Sequence, residues 1–369
     1  MRTRNYLWAV LAMAALSLTA CGSEENENTE PQKMEARIEL TLKGTSVNTK
    51  ATGASLPTED NENKISRVAV AIFDKDGKVI IIQEFTKTED IVVNCAPGKD
   101  CTGIVVANAP ANHFAGITTK KDFTAKTVDL TQTSTALPMS GDIKSGTGNA
   151  ATTTFTLTAG KESTLTAEVS RLVARVTINS IKTAFEASGQ YAKATFTAKK
   201  IFLHNANTKS TVDPGTPTGS EPLTGKTDGT NAGLQTALDQ AIGATAHTTP
   251  YWFYTFAHGK TSPTKLVIYG KFDADGTGGT ATEEDVYYPV VVNKLQAGTT
   301  INDGSTNIDA STDGKGDATI IRNSTYTITA TIKSKGVEDP DKDIDPAIVN
   351  LTVTVAPWKF SISQDVTFN

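Results

Sequence analysis

The sequence predicts an all-β protein built as two tandem β-sandwiches, and three features carry that expectation. Short runs in which apolar and polar residues alternate recur along the chain, separated by clusters of Gly, Asn, Asp and Pro, as antiparallel strands and their turns require. Threonine, a β-branched residue suited to a pleated and half-wet surface, fills about 59 of the 369 positions. Two strand-like runs, 163–169 and 171–181, follow one another with almost no linker. They place a hinge near residue 170, between units of roughly 135 and 200 residues, sizes that sustain a sandwich core.

The chain begins with an address. Arg2 and Arg4 precede an apolar run from Tyr6 to Leu18, the charged and hydrophobic regions of a secretory signal peptide over residues 1–20. That run is too short to span a bilayer comfortably. Leu18-Thr19-Ala20-Cys21-Gly22 sets a thiol directly after two small residues, in the pattern of a bacterial lipobox, so Cys21 is expected to carry lipid and to become the first mature residue. Residues 21–35 are rich in Ser, Glu, Asn and Thr, have little to bury and read as a disordered tether.

Beyond the tether, candidate strands are 36–42, 66–73, 80–84, 104–107, 152–158, 163–168, 175–181, 194–203, 265–272, 286–293, 325–333 and 349–355. Asp74-Lys75-Asp76-Gly77 joins two of them as a hairpin turn. Residues 231–242 are expected to be helical, with Leu234, Leu238 and Ile242 at a spacing of four. The Gly-, Pro- and Thr-dense stretch 211–231 reads as a long loop. The organisation expected is an N-terminal sandwich over 36–169, a C-terminal one over 170–346, and terminal strands over 347–369.

Composition narrows the function. The net charge is −5, and −7 once Arg2 and Arg4 are removed; no basic field is available for sequence-independent nucleic-acid binding. After Cys21 only Cys95 and Cys101 remain, six apart around Pro97-Gly98, and in an exported protein they read as a local disulfide. A metal site would need more ligands nearby, and His113, His204, His247 and His258 are scattered. Asp273, Asp275, Gly276, Thr277 and Glu284 fit the positions of a calcium loop, but flanking strands and Thr280 at the eighth place favour a solvated hairpin loop. Asp339, Asp341, Asp343 and Asp345, broken by Pro340 and Pro346, read as a wet linker. Trp252, Tyr254 and Phe256, with His258, suggest either a glycan-stacking platform on a lipid-anchored surface protein or core packing. No Ser-His-Asp elbow, phosphate-cradling loop or metalloprotease helix is visible, so neither enzymatic activity nor a cofactor is expected.

The two ends are the most informative. Ile38, Leu40 and Leu42 share one face of a strand while Arg37, Glu39 and Thr41 take the other, and a polar loop containing Thr49-Lys50-Ala51 follows. At the far end Val349, Leu351, Val353 and Val355 alternate with polar residues. After Pro357-Trp358 the period resumes at Phe360, Ile362, Val366 and Phe368. A terminal strand with four or more apolar side chains on one face is able to pair within its own chain or to fill a vacant groove in a neighbour.

Five motifs, in order behind the lipobox, resemble the fimbrillins of Bacteroidales, the subunits of type V pili. They are Val105-Val106-Ala107-Asn108-Ala109-Pro110, Leu137-Pro138-Met139-Ser140-Gly141, Arg171-Leu172-Val173-Ala174-Arg175-Val176, Arg322-Asn323-Ser324-Thr325-Tyr326 and Val355-Ala356-Pro357-Trp358. The resemblance implies two transthyretin-like sandwiches and a lipoprotein precursor carried to the outer membrane, cut by a trypsin-like protease in the loop after the first strand. Removal of Ile38, Leu40 and Leu42 with that strand would open a groove for the C-terminal strands of an adjacent subunit. The result would be a head-to-tail polymer, in the company of other pilus subunits, on the cell surface. By position Lys50 is the expected cut; Arg67 is the fallback at the edge of a strand, and Arg37, inside the first strand, is the poorest choice.

Overall fold

A computed structural model describes residues 35–44, 56–86, 88–226, 232–279, 282–294, 301–302, 307–308, 316–342, 346–350 and 360–368. Its elements are strands throughout, apart from short helical turns. The N-terminal unit comprises β1 (Ala36–Gly44), α1 (Glu59–Glu62), β2 (Val68–Phe73), β3 (Val79–Phe85), β4 (Ile91–Cys95), β5 (Gly98–Ala107), α2 (Lys120–Ala125), β6 (Thr127–Asp129), β7 (Met139–Ser145), β8 (Thr154–Leu157) and β9 (Glu162–Arg171). Eight of these strands form one sheet in the order β3-β2-β5-β7-β9-β1-β4, with β8 on β5. Every residue of β2 is buried, so its unbroken apolar run marks a strand covered on both faces.

The second unit comprises β10 (Val173–Thr183), β11 (Thr195–His204), β12 (Ala206–Thr211), β13 (Gly219–Leu223), β14 (Gln235–Ile242), β15 (Tyr251–Phe256), β16 (Lys265–Asp273), β17 (Glu283–Val291), β18 (Ile301–Asn302), β19 (Asn307–Ile308), β20 (Ser324–Ile332), β21 (Pro346–Asn350) and β22 (Phe360–Phe368). A five-stranded sheet, β15-β10-β20-β22-β21, and a four-stranded one, β14-β11-β16-β17, enclose its core. Buried apolar residues fall into two clusters. One runs from Ala36 to Val173 and takes in Val212, Tyr254 and Phe256; the other runs from Ala174 to Ile332.

The helix expected over 231–242 is instead a 3₁₀ turn, Ala232–Leu234, followed by β14, which pairs antiparallel with β11. A spacing of four is also an even spacing, so Leu234, Leu238 and Ile242 satisfy period two as well as 3.6. Only Leu234 and Ile242 are fully buried, because the ladder slips opposite Lys199 and Asp239 takes a positive φ of 48°. The stretch 211–231 is not loop throughout, since β13 folds back on β12 within it.

The Asp-rich segment is also more anchored than a wet linker. The buried Lys265 donates from Nζ to the carbonyls of Pro340 (3.2 Å) and Asp341 (2.9 Å). His204 Nε2 meets Asp341 Oδ1 at 2.7 Å, and Lys226 approaches Asp339 at 3.5 Å. Asp343 and Asp345 lie outside the described residues.

Candidate assembly site: the first strand and the junction of the two cores

β1 occupies an interior place in its sheet. On one side it runs parallel to β9, from Arg37↔Glu162 to Gly44↔Val169; on the other it runs antiparallel to β4, from Ala36↔Cys95 to Leu40↔Ile91. Ala36 and Ile38 are fully buried and Leu40 is 3% exposed, while Leu42 is half-buried. Arg37, Glu39 and Thr41 face solvent. Ile38 thus sits in a row with Val93 and Ser163, and Leu40 with Ile91 and Leu165. Burying each such aliphatic side chain is worth about 1.5–3 kcal/mol. Taking β1 away would free two facing sheet edges, one on β9 and one on β4, over an apolar floor.

Downstream of the polar loop the chain is held in a different way. Thr58 caps α1 by accepting the amide of Asn61 at 3.3 Å, and the helix delivers Glu62 into the junction of the cores with no exposure at all. Both carboxylate oxygens of Glu62 accept from Arg175 Nη1 at 2.8 Å, and the Tyr254 hydroxyl donates to Oε1 at 2.6 Å. Arg171, 1% exposed, donates to the Glu62 carbonyl (3.1 Å), to Asn323 Oδ1 (3.0 Å) and to Asn63 Oδ1. Burial pulls the Arg171 guanidinium below its usual pKa, with Glu62 opposing, and burial first, then Glu62, pushes the Tyr254 phenol far up. Arg171 thus stays a cation because acceptors surround it.

A second arginine stitches the same seam. Arg322 donates to the carbonyls of Arg171 (3.1 Å), Ser170 (2.5 Å), Ser140 (3.2 Å) and Pro214 (3.0 Å). Burial lowers its pKa to about 10. Nearby, Asn108, in the left-handed region at φ 61°, bridges Ser66 N (2.9 Å) to the carbonyls of Lys64 (2.9 Å) and Leu137 (2.8 Å). Four of the five motifs singled out in the sequence therefore meet around this junction. The fifth, Val355 to Trp358, lies outside the described residues.

The aromatic strand resolves in favour of packing. Tyr254 and Phe256 are fully buried in the first core with Trp252 against them, while Phe253 and Tyr251 pack on the second. The strand is aromatic on both faces because it is shared between two cores. His258 is half-buried, with Nδ1 3.0 Å from Thr264 Oγ1. No stacking platform is presented.

The other expected sites fall out as follows. Asp273 Oδ2 accepts from Gly278 N (2.9 Å) and Asp275 Oδ1 from Thr277 N (3.0 Å), while Glu284 pairs with Lys335 at 2.6 Å instead of closing the loop. Among the described residues no three His, Cys, Asp or Glu side chains are grouped to hold a metal ion. Cys95 and Cys101 are buried free thiols in this structure; burial, then its neighbour Cys101, raises Cys95 to about 11. Arg67 is half-buried and bound to Glu84 at 3.2 Å, with its carbonyl accepting from Asn108 N at 2.9 Å. Cys21, Lys50, Leu351, Val353, Val355 and Trp358 lie outside the described residues. Val349, Phe360, Ile362, Val366 and Phe368 lie in β21 and β22, of which the backbone is described.

These features define a class: a tandem β-sandwich whose first strand is interior to its sheet and whose two cores are joined by the buried Arg171 and the half-buried Arg175 and Arg322. Residues 36–180 match the sequence model of the family described as "Major fimbrial subunit protein (FimA)". The resemblance to the fimbrillins therefore holds across the N-terminal unit. Among solved structures, a fimbrilin from Porphyromonas gingivalis is similar at 19% identity and a TM-score of 0.60, covering 91% of this chain and 98% of that one. A cell-adhesion candidate from Bacteroides eggerthii is similar at 20% identity and 0.59, with the same coverage, and another from Parabacteroides distasonis at 16% and 0.58, covering 91% and 97%. At these identities the likeness establishes the fold. No curated protein matches the chain.

Proposed function

We propose that this chain is a structural, non-enzymatic subunit of a type V fimbria, in its shaft or at its tip, supporting adhesion at the cell surface. The precursor is anchored in the outer membrane through lipid on Cys21. A trypsin-like protease then cuts after Lys50, β1 leaves with the lipid, and the C-terminal strands of the next subunit take its place. The observation that carries this reading is the interior position of β1, whose loss exposes two facing ladders at once and so creates a site only another strand satisfies. Its partners are further copies of itself and other pilus subunits.

The junction bears on where the cut falls. Cleavage at Arg67 would release Glu62 with the excised piece, taking its carbonyl from the buried Arg171 and its carboxylate from the half-buried Arg175, a loss of the kind that costs several kcal/mol. Cleavage at Lys50 spares the clamp. The deciding experiment is the N-terminal sequence and intact mass of the protein taken from the cell surface. A start at Ala51 without lipid is expected; a lipidated start at Cys21 in assembled filaments would overturn the reading, and a start at Val68 would overturn the choice of Lys50.

A further inference from the structure

We infer that the hairpin loop between β16 and β17 is a calcium site of low, extracellular affinity, with the carboxylates of Asp273 and Asp275 as its charged ligands. The inference does not depend on how the first strand is processed.

The run Asp273-Ala274-Asp275-Gly276-Thr277 opens the loop with an oxygen-bearing side chain at every second place. Acidic residues in a turn are ordinarily solvated, and spacing alone would carry nothing. What sets this loop apart is where it puts its first carboxylate. Asp273 ends β16, is only 3% exposed, and pairs with Thr195 of β11 on one side and Glu283 of β17 on the other. Its Oδ2 accepts from Gly278 N at 2.9 Å, so the carboxylate is turned into the loop. Its Oδ1 is shut off from water and has no hydrogen-bond partner. A buried carboxylate oxygen with neither water nor donor is costly unless a cation meets it.

No side chain supplies that cation. Lys271 pairs with Asp285 at 2.9 Å and Lys335 with Glu284 at 2.6 Å, and among the described residues no ion pair involves Asp273 or Asp275. A second negative charge comes instead. The exposed Asp275 accepts through Oδ1 from the hydroxyl (2.7 Å) and the amide (3.0 Å) of Thr277, which hold its carboxyl below the usual range. The Asp273 carboxyl lies within hydrogen-bond reach of it. Two like charges so close repel. A divalent cation between them removes the repulsion and satisfies the orphaned Oδ1 in one step.

The turn is shaped to hold this arrangement. Gly276 has a φ of 66°, and a Cβ there would stand 2.0 Å from the Lys193 carbonyl oxygen. Only glycine lets the loop lie against the chain that leads into β11.

The donor chemistry selects the ion. Hard cations take oxygen, and here two carboxylates are joined by neutral oxygens from Thr277, backbone carbonyls and water. That mixed shell suits the flexible coordination of calcium, with about six to eight ligands, better than the strict octahedron of magnesium. Glu284 is held away by Lys335, so the loop has fewer charged ligands than a tight calcium loop. The affinity expected is about 0.1–1 mM, the range of extracellular modules.

The test is calcium titration of the precursor, first stripped with a chelator, followed by calorimetry and by thermal unfolding. Asp273→Asn, Asp275→Asn and Glu284→Gln are run beside it. One equivalent is expected to half-saturate at about 0.1–1 mM, with an unfolding midpoint that climbs as calcium is added. Asp275→Asn, at an exposed position, should bind at least about tenfold more weakly, and Glu284→Gln should bind as wild type does. Asp273→Asn keeps an acceptor for Gly278 N and loses the buried charge, so it should show no calcium response and should unfold no earlier than wild type in chelator. No saturable binding up to about 10 mM, or binding that Asp275→Asn leaves unchanged, overturns the site. Weakening by Glu284→Gln overturns the ligand set. An Asp273→Asn chain that unfolds early in chelator shows that the carboxylate serves the fold alone, and overturns the inference as well.

Discussion

The two elements that flank the polar loop, β1 before it and α1 after it, are both buried, yet they are held by opposite means. β1 contributes aliphatic side chains and an unaddressed backbone ladder, which any strand of the same pattern supplies equally well. α1 contributes through Glu62 a carboxylate bonded by Arg175 and Tyr254 and a backbone carbonyl bonded by Arg171. Non-directional burial is exchangeable; an addressed polar network is not. On the proposed reading, in which β1 is replaced and α1 stays, the two are distinguished by the kind of interaction that fixes them, not by how deeply they are buried.

The largest effect should come from breaking the addressed side. Glu62→Ala takes from the junction the carboxylate that Arg175 and Tyr254 bond and whose charge faces Arg171, and a loss of about 3–5 kcal/mol is expected in urea unfolding of the precursor. Under the proposed cut after Lys50, which keeps α1, the loss should persist in the processed and polymerised forms. A variant that unfolds at the wild-type midpoint would show that the junction is not locked through Glu62.

Leu40→Ala sharpens the contrast from the other side. It removes a core side chain from β1 and should cost the precursor about 2–5 kcal/mol. Under the proposed processing, which removes residue 40, assembled subunits should show wild-type stability. Filaments whose subunits carry the Leu40→Ala penalty would mean that β1 never left.

How far the sequence foretold this contrast depends on the interaction. Alternation along 36–42 and 163–168 is a period-two signal produced by burial of one face, and burial of one face is what positions those strands. β14 was misread because its three apolar residues fit both periods, and the choice fell to pairing with β11, a partner about 35 residues away in sequence. The clamp was hidden because Glu62 stands in the polar run Thr58-Glu59-Asp60-Asn61-Glu62-Asn63-Lys64, which looks solvated until Arg171 and Arg175 arrive from more than 100 positions downstream. Those two arginines in the otherwise apolar run Arg171-Leu172-Val173-Ala174-Arg175-Val176 were the one local sign that an acceptor had to exist at the junction.

The cysteines test the β1 side of the comparison more gently, since Cys95 pairs directly with Ala36. As a free thiol with its pKa raised to about 11 from 9.0, Cys95 binds its proton more tightly folded than unfolded. Its contribution to stability is therefore complete below pH 9 and lost as pH rises through 11. Reduced precursor should weaken over that window in denaturant titrations at stepped pH, and a Cys95→Ser variant should keep only the part due to Cys101, whose thiol burial also raises. A disulfide formed on export, as the spacing of the pair suggests, removes both thiols: material from the cell surface would then give no reaction with a thiol reagent after unfolding, and two equivalents after reduction.

The smallest effect belongs to the outer face of β1. Arg37 bonds Glu162 through Nε at 2.9 Å, but both side chains are about half exposed, at 52% and 50%. An ion pair so open to water contributes about 0–1 kcal/mol and is screened by salt. Arg37→Ala should therefore leave the precursor within that range of wild type in low salt, with the gap closing further at high salt. This follows from the same distinction: the inward face of β1 is buried and aliphatic, whereas the outward face holds Arg37, Glu39 and Thr41 in solvent. A face that water already solvates is a face that holds little.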